Sequence, residues 1–266
     1  MKKVGIVSCS NGLNVCNQDK IEGLQLVLQK QGIEAVCSEY VYTNEDGNSA
    51  SAKERAEGLM RFYCDPEMSE IFDVSGGDIA NSVLPYLDYK LIAESEKRFW
   101  GYSDLTTIIN AIFTKTGKIS VLYQVRFFKE ENANDLFDVK YRFLQGDEMK
   151  GILVGGNIRC LLKLAGTEYW PDMSGKILLL EARSGKVPQM ITFLSQLKQL
   201  GVFEKISGIL LGTFTQMESE NLSPTMEELV KEYAGDTLPI AKTYDIGHGK
   251  DAKAIMIGQE YHFKVQ

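Results

Sequence analysis

The sequence predicts an α/β protein with an N-terminal doubly wound parallel-sheet domain and a smaller, strand-rich α/β C-terminal domain. In the first half, strands that are apolar throughout alternate with helices, which is typical of a parallel sheet covered on both faces. In the second half, strands outnumber helices. The length of 266 residues favours two domains, which we place at 1–125 and 151–266, with a linker at 126–150.

The first half contains five segments of strand length. VGIVS is followed by a helix that ends at Gly32, and IEAVC is the second strand. A helix from about 52 to 63 precedes the strand EIFDV, the loop SGGD and a short helix through Leu84. KRFW leads into a helix that follows Ser103 and ends at Gly117, and KISVLY closes the series. Ligands of such sheets bind beyond the carboxyl ends of the strands, so we expect the site in these loops.

The second half begins after a charged segment. Residues 126–150 lack a long apolar strand and read as a connection with room for one helix. Two helices follow, from about 187 to 200 and from about 225 to 233. The segments predicted as strands are ILVGGN, KILLLE, GILLGTF, PIAKTY, AIMIG and EYHFKV.

The composition excludes several classes of partner. The net charge of −7 and the lack of a Lys/Arg-rich stretch argue against nucleic acid and against an anionic membrane surface. No apolar run has the length of a membrane span, and the first one is too short for a secretory signal. The five cysteines are scattered without a CxxC pair, as expected for free thiols in a reducing compartment. We therefore predict a cytoplasmic protein.

The segment GYSDLTT presents Ser103 on a strand-to-helix turn, where it is a candidate nucleophile or a helix cap. A serine nucleophile needs a base, and the chain has two histidines. His262 lies in the alternating strand EYHFKV, whereas His248 lies between two glycines in DIGHGKD. His248 is therefore the better candidate for the base.

A carboxylate and two backbone N–H groups complete the candidate constellation. Glu181 stands at the end of the buried strand KILLLE, where it can reach the edge of a site. The order serine, glutamate, histidine is that of the nucleophile-elbow hydrolases, although GYSDL lacks the second glycine of their motif. The N–H groups of Asp104 and of Gly77 in the SGGD loop are candidates for an oxyanion hole. Each residue alone also fits a structural role, as a strand end or a plain turn.

Three blocks of the sequence resemble the family of LD-carboxypeptidases and microcin-immunity peptidases, serine peptidase family S66. They run from SGGDIANSVLPYLDY to KRFWGYSDLTTIINAIFTKTG, from GILVGGNIRCLLKLAG to GILLGTF, and from YDIGHG to AIMIG. The resemblance implies a site between two domains, with Ser103 as nucleophile, His248 as base and Glu181 as its orienting partner. It also implies a homodimer that uses no metal or other cofactor. Family members that are LD-carboxypeptidases release D-alanine from peptidoglycan tetrapeptides in cytoplasmic cell-wall recycling.

The chain departs from the family pattern at several positions around these residues. Ser75 stands where an arginine usually precedes the paired glycines, and VLYQVRFF replaces a Gly-Pro element. Ala182 and Gly249 replace an acidic residue and a threonine. No member of the predicted triad is lost, so these departures bear on the substrate pocket. The cation for a substrate carboxylate is Arg126, Arg159 or Arg183, which the sequence does not rank.

Three other functions are consistent with the residues. An immunity-type peptidase would cut a peptidyl-nucleotide amide, with Trp170 as an aromatic wall or merely as a packing residue. A non-catalytic small-molecule binder would retain the pocket without its chemistry. A thiol enzyme would use Cys9 in VSCSNG, a segment that lacks the lysine and the spacing of a phosphate-binding P-loop.

Overall fold

Two mixed sheets, each of six strands, organise residues 2–129, 131 and 133–265, which are the residues described by this computed structural model. The strands are β1 (Lys2–Val7), β2 (Ile33–Cys37), β3 (Met68–Asp73), β4 (Arg98–Gly101), β5 (Ser120–Leu122), β6 (Arg142–Gln145), β7 (Glu148–Asn157), β8 (Ile177–Ala182), β9 (Gly208–Phe214), β10 (Ile240–Lys242), β11 (Ile255–Ile257) and β12 (Glu260–Lys264). The helices are α1 (Gln18–Lys30), α2 (Ala52–Cys64), α3 (Tyr89–Glu94), α4 (Thr106–Thr116), α5 (Ile158–Leu162), α6 (Val187–Gln199), α7 (Thr215–Ser219) and α8 (Met226–Ala234).

The first sheet has the order β11-β5-β4-β3-β1-β2, and β1 to β5 are parallel. Helix α1 packs with Val4 and Ile6 in one buried cluster, whereas α2 and α4 contribute Leu59 and Ile108 to another. This is a doubly wound sheet, with helices on both faces. The second sheet has the order β12-β7-β8-β9-β10-β6, parallel from β7 to β10 with antiparallel edges. The predicted fold class is confirmed.

Most of the predicted elements are present. Helix α4 ends at Gly117, whose φ of 70° is the left-handed conformation expected of a glycine that ends a helix. Three short helices, α3, α5 and α7, were not predicted. Each has only five or six residues, which is too short for a helical period to emerge from the sequence.

The secondary structure of residues 126–150, predicted as a connection with room for one helix, differs from this prediction. The described residues of this segment include no α-helix, and a 3₁₀ turn at Val125–Phe127 overlaps its start. They include β6 and the beginning of β7 instead. Both are half-exposed strands next to antiparallel neighbours, so they carry charged residues and lack an apolar run.

The C-terminal segment joins the two sheets. Strand β11, predicted from AIMIG, pairs antiparallel with β5 at the edge of the first sheet, and β12 then pairs with β7 of the second. Helix α4 also contacts the second sheet, where the Asn110 side chain bonds both the N–H and the carbonyl of Gly155. Gly156 has a φ of 132°, and a Cβ there would lie 2.7 Å from Thr106 Oγ1. The start of α4 is thereby held against the end of β7.

Among the described residues, no helix combines the length and the apolar character that crossing a membrane requires.

Candidate active site

Ser103 occupies a tight turn between β4 and α4. Its φ of 56° is unusual for a residue with a Cβ, and such strained conformations concentrate at functional sites. The turn is a 3₁₀ segment, Ser103–Leu105, that leads directly into α4. The Ser103 hydroxyl caps neither the 3₁₀ segment nor α4. It lies 3.1 Å from His248 Nε2 instead. The local backbone therefore directs the Ser103 hydroxyl toward the histidine.

His248 connects Ser103 to Glu181. The His248 Nδ1 atom lies 2.7 Å from Glu181 Oε2, and the two side chains are 6% and 0% exposed. The two atoms are in contact, although their geometry falls outside the angular range of a hydrogen bond. The three residues predicted as a triad are thus in contact, in the order serine, histidine, glutamate.

Two residues that the sequence analysis missed surround the Glu181 carboxylate. Asn157 Nδ2 donates to Glu181 Oε1 over 3.0 Å. Tyr102 packs edge-on to the His248 ring at 4.9 Å, and burial, followed by the nearby Glu181 charge, raises the pKa of its hydroxyl. Asn157 ends β7, and Glu181 lies near the end of the parallel neighbour β8, where the two residues are in register. The position of Asn157 at a strand end was the signal that could have identified it. Neither neighbour is a cation, so His248 is the only basic side chain of the three residues in contact with Glu181.

The SGGD loop lies across the same cavity. Gly77 lines it together with Ser103 and His248. The φ of Gly77 is 134°, and a Cβ there would lie 1.8 Å from Asn11 Oδ1, so only glycine fits. Asn11 Oδ1 also accepts a hydrogen bond from the Asp78 N–H. The loop backbone is therefore fixed beside the serine.

The Asp104 side chain is buried beneath the turn. Its Oδ2 accepts hydrogen bonds from the Ser10 hydroxyl at 2.6 Å and from the Ala80 N–H at 2.8 Å. Its Oδ1 accepts from Lys163 Nζ at 2.5 Å. One carboxylate thus connects the serine turn to the loop after β1, to the residues after SGGD and to the second half of the chain.

Helix α5 and the residue that follows it supply two cations to the SGGD loop. Lys163, directly after the helix, also donates to the Asp78 carbonyl at 2.8 Å. Arg159 pairs with the Asp78 carboxylate and donates to the Gly77 carbonyl. Arg159 does not line the cavity, so among the three candidate arginines only Arg126 and Arg183 face it.

Lys163→Met is expected to slow the reaction of Ser103 with a fluorophosphonate probe by about 10- to 100-fold, because the serine turn and the loop lose their common anchor. It is also expected to lower the free energy of unfolding by about 2–3 kcal/mol, because the buried Asp104 carboxylate loses its cation. Labelling kinetics and thermal unfolding measure the two effects. Lys115→Met is the matched control, since Lys115 pairs with exposed Glu168 across the same two halves of the chain. Labelling by Lys163→Met at the wild-type rate would contradict the anchoring role.

The cavity has two lobes that meet at His248. The first lobe, of about 380 Å³, contains Ser103 and the glycine loop. The second, of about 870 Å³, extends toward α1. The residues shared by both are Gln124, Arg126, Arg183 and His248. The cleft can therefore hold a ligand on both sides of the serine–histidine pair.

The departure at Ser75 has a structural consequence. Its hydroxyl donates to Asp73 Oδ1 at 2.6 Å and accepts from the Ser10 N–H at 2.9 Å. Burial raises the pKa of Asp73, while hydrogen bonds from Ser75 and Cys9 oppose that shift. Ser75 therefore ties the loops after β1 and β3 together.

Cys9 and Trp170, on which two of the alternative hypotheses depend, do not line the cleft. Cys9 is fully buried, and burial raises the pKa of its thiol well above the usual value. That environment suppresses the thiolate on which a thiol enzyme depends. Trp170 packs against two buried apolar clusters and does not line either lobe. Among the described residues, no group of three or more His, Cys, Asp or Glu side chains is arranged to hold a metal ion.

Comparison with known proteins gives consistent matches along the chain. The family models described as the LD-carboxypeptidase N-terminal and C-terminal domains match residues 4–124 and 150–263. The murein tetrapeptide carboxypeptidase of Pseudomonas aeruginosa is 25% identical, over 91% of this chain and 87% of that protein. The microcin C7 self-immunity protein MccF of Escherichia coli is also 25% identical, over 87% of this chain and 81% of that protein. A structure of MccF in complex with aspartyl sulfamoyl adenosine covers 100% of this chain and 96% of its own, with 22% identity and a TM-score of 0.85.

Proposed function

Because this chain belongs to the LD-carboxypeptidase family, serine peptidase family S66, we propose that it is a serine carboxypeptidase that releases terminal D-alanine from muropeptide tetrapeptides by hydrolysing an LD-amide bond. The two family models together span most of the chain, and relatives of this family are peptidases. The observation that carries the proposal is the contact chain from Ser103 through His248 to Glu181, at 3.1 and 2.7 Å, within a cleft.

The proposed mechanism follows from this geometry. Ser103 Oγ adds to the carbonyl carbon of the scissile amide while His248 Nε2 takes the hydroxyl proton. The buried Glu181 carboxylate stabilises the imidazolium that forms. The N–H groups of Gly77 and Asp104 bind the oxyanion. His248 then gives its proton to the leaving amine, and water hydrolyses the acyl-enzyme by the same steps.

Two arginines are proposed to bind the carboxylate of the leaving D-alanine. Arg126 and Arg183 line both lobes of the cleft next to His248, which protonates the leaving amine in this mechanism. A carboxypeptidase needs a cation at this place, because the carboxylate is adjacent to the scissile bond. The guanidinium group suits this role, since it binds a carboxylate through two parallel hydrogen bonds.

The test is release of the terminal alanine from the tetrapeptide L-Ala-γ-D-Glu-meso-diaminopimelate-D-Ala, detected as the tripeptide product by chromatography and mass spectrometry. We expect release from this substrate and none from the diastereomer that ends in L-alanine. Hydrolysis of neither peptide by a folded protein would overturn the proposal.

A second candidate activity is hydrolysis of an aminoacyl or peptidyl amide linked to a nucleotide. MccF, whose structure holds aspartyl sulfamoyl adenosine, supports this activity. Its sequence identity to this chain, 25%, equals that of the murein tetrapeptide carboxypeptidase. Phe127 and Phe128 line the larger lobe and could stack on a base, a role that Trp170 does not serve. Cleavage of aspartyl sulfamoyl adenosine without D-alanine release would favour this activity.

The remaining proposals concern the state of the protein. A non-catalytic binder would bind the tetrapeptide tightly without turnover, and its Ser103 would not react with a fluorophosphonate.

We infer a homodimer that acts in cytoplasmic cell-wall recycling, supported by the family resemblance and by five cysteines that form no disulfide. Sedimentation equilibrium tests the dimer.

A further inference from the structure

The larger lobe of the cleft is strongly basic. Its described lining residues include four cationic side chains and no carboxylate. The cations are Lys20, Arg126, Arg183 and Lys250. The chain as a whole carries a net charge of −7, so this concentration of positive charge runs against the average. A cleft lined by one sign of charge attracts ligands of the opposite sign.

Among the residues that the structure describes, these four cations form no ion pair, although the Asp73 carboxylate of the smaller lobe acts on Arg126 electrostatically. Within the described ranges, none of the four has a carboxylate oxygen within 4 Å, and the amine of Lys20 bonds only the Asn17 side-chain oxygen. By contrast, the nearby cations Arg159 and Lys163 are both paired with aspartates. The lobe therefore retains its positive potential for a ligand.

The lobe also has an apolar side and a defined direction. Leu24 and Val27 of α1 line it together with Phe127 and Phe128. Arg126 and Arg183 also border the lobe that contains Ser103, whereas Lys20 and Lys250 line only the larger one. The lysines therefore border only the part of the cleft beyond the lobe that contains Ser103.

We propose that Lys20 and Lys250 form a distal subsite that selects substrates with an additional anionic group, a carboxylate or a phosphate, separated from the scissile bond by a partly apolar portion. This inference rests on the proposed function for the position of the scissile bond. The lysines act on substrate affinity and take no part in the proton transfers. Their removal should therefore raise KM and leave kcat unchanged.

The test compares Lys20→Gln/Lys250→Gln with Lys30→Gln/Lys231→Gln, which removes two exposed lysines outside the cleft, one of them on the same helix α1. Each protein is assayed with the tetrapeptide and with its analogue amidated on the carboxylates other than that of D-alanine. We expect the lobe variant to raise KM for the free acid by about five- to tenfold, and to leave the amidated analogue and kcat unchanged. Equal KM values for the two variants would overturn the subsite.

Binding separates this inference from the proposed activity. Ser103→Ala carrying the same lysine changes is titrated with the free tetrapeptide, its amidated analogue, adenosine 5′-monophosphate and adenosine. Weaker binding of the free peptide alone identifies a carboxylate as the anion, and weaker binding of the monophosphate alone identifies a phosphate. If the lysine changes weaken neither, the subsite is wrong even where the wild type releases D-alanine. If the wild type hydrolyses nothing, the anion preference is still read from these dissociation constants.

Discussion

Ser103→Ala is expected to lower kcat for D-alanine release by at least about 10⁴-fold, because the attacking oxygen is removed and no other hydroxyl is in contact with His248 Nε2 among the described residues. The fold should be preserved. Alanine has the same Cβ as serine, so the positive φ at this position imposes a similar strain on both residues. The hydroxyl makes no capping bond whose loss would destabilise α4.

The measurement is single-turnover D-alanine release, with thermal unfolding of the same preparations. Ser69→Ala is the matched control, since its hydroxyl makes one hydrogen bond to the Lys3 carbonyl and it does not line the cleft. Ser103→Ala should also lose fluorophosphonate labelling, which Ser69→Ala retains. Turnover by Ser103→Ala at more than a few per cent of the wild-type rate would mean that another group is the nucleophile.

Much of the fold was predictable because it depends on local patterns. Buried parallel strands such as β8 are continuous apolar runs, and Gly117 marks the end of α4 through its own backbone preference. The strand β11 was predicted as a strand but not as part of the first sheet. Its partner is more than a hundred residues away, and a three-residue strand carries no signal for its neighbour.

The residues of the candidate triad were predictable, but the contacts that hold the surrounding loops in place were not. Ser103, Glu181 and His248 were selected from motifs and their order, and they remain predictions as catalytic residues. The contacts of Arg159 and Lys163 with the SGGD loop depend on α5, a five-residue helix about eighty residues away from that loop. The strained φ of Ser103 likewise follows from the packing around the turn, which the sequence does not encode locally.

Glu181→Gln tests the orienting role of the carboxylate, and the hydrogen bonds around it determine how the amide will lie. Asn157 Nδ2 is a donor to Glu181 Oε1, so the glutamine must direct its oxygen toward Asn157. Asn157 cannot simply reverse its own amide, because its oxygen accepts from the Cys160 N–H at the start of α5. The glutamine NH₂ is therefore directed at His248 Nδ1, where the carboxylate oxygen was 2.7 Å away.

An amide donor at this place favours the wrong tautomer of His248. The imidazole would accept at Nδ1 and carry its proton on Nε2, so it could not take the proton of the Ser103 hydroxyl. We expect kcat to fall by about 10³- to 10⁴-fold with KM within a fewfold of the wild type, since the cleft itself is unchanged. Glu70→Gln, a buried carboxylate of β3 that pairs with Arg98 outside the cleft, controls for the loss of a buried charge. A Glu181→Gln protein that keeps a tenth of the wild-type kcat would show that His248 works without an orienting carboxylate.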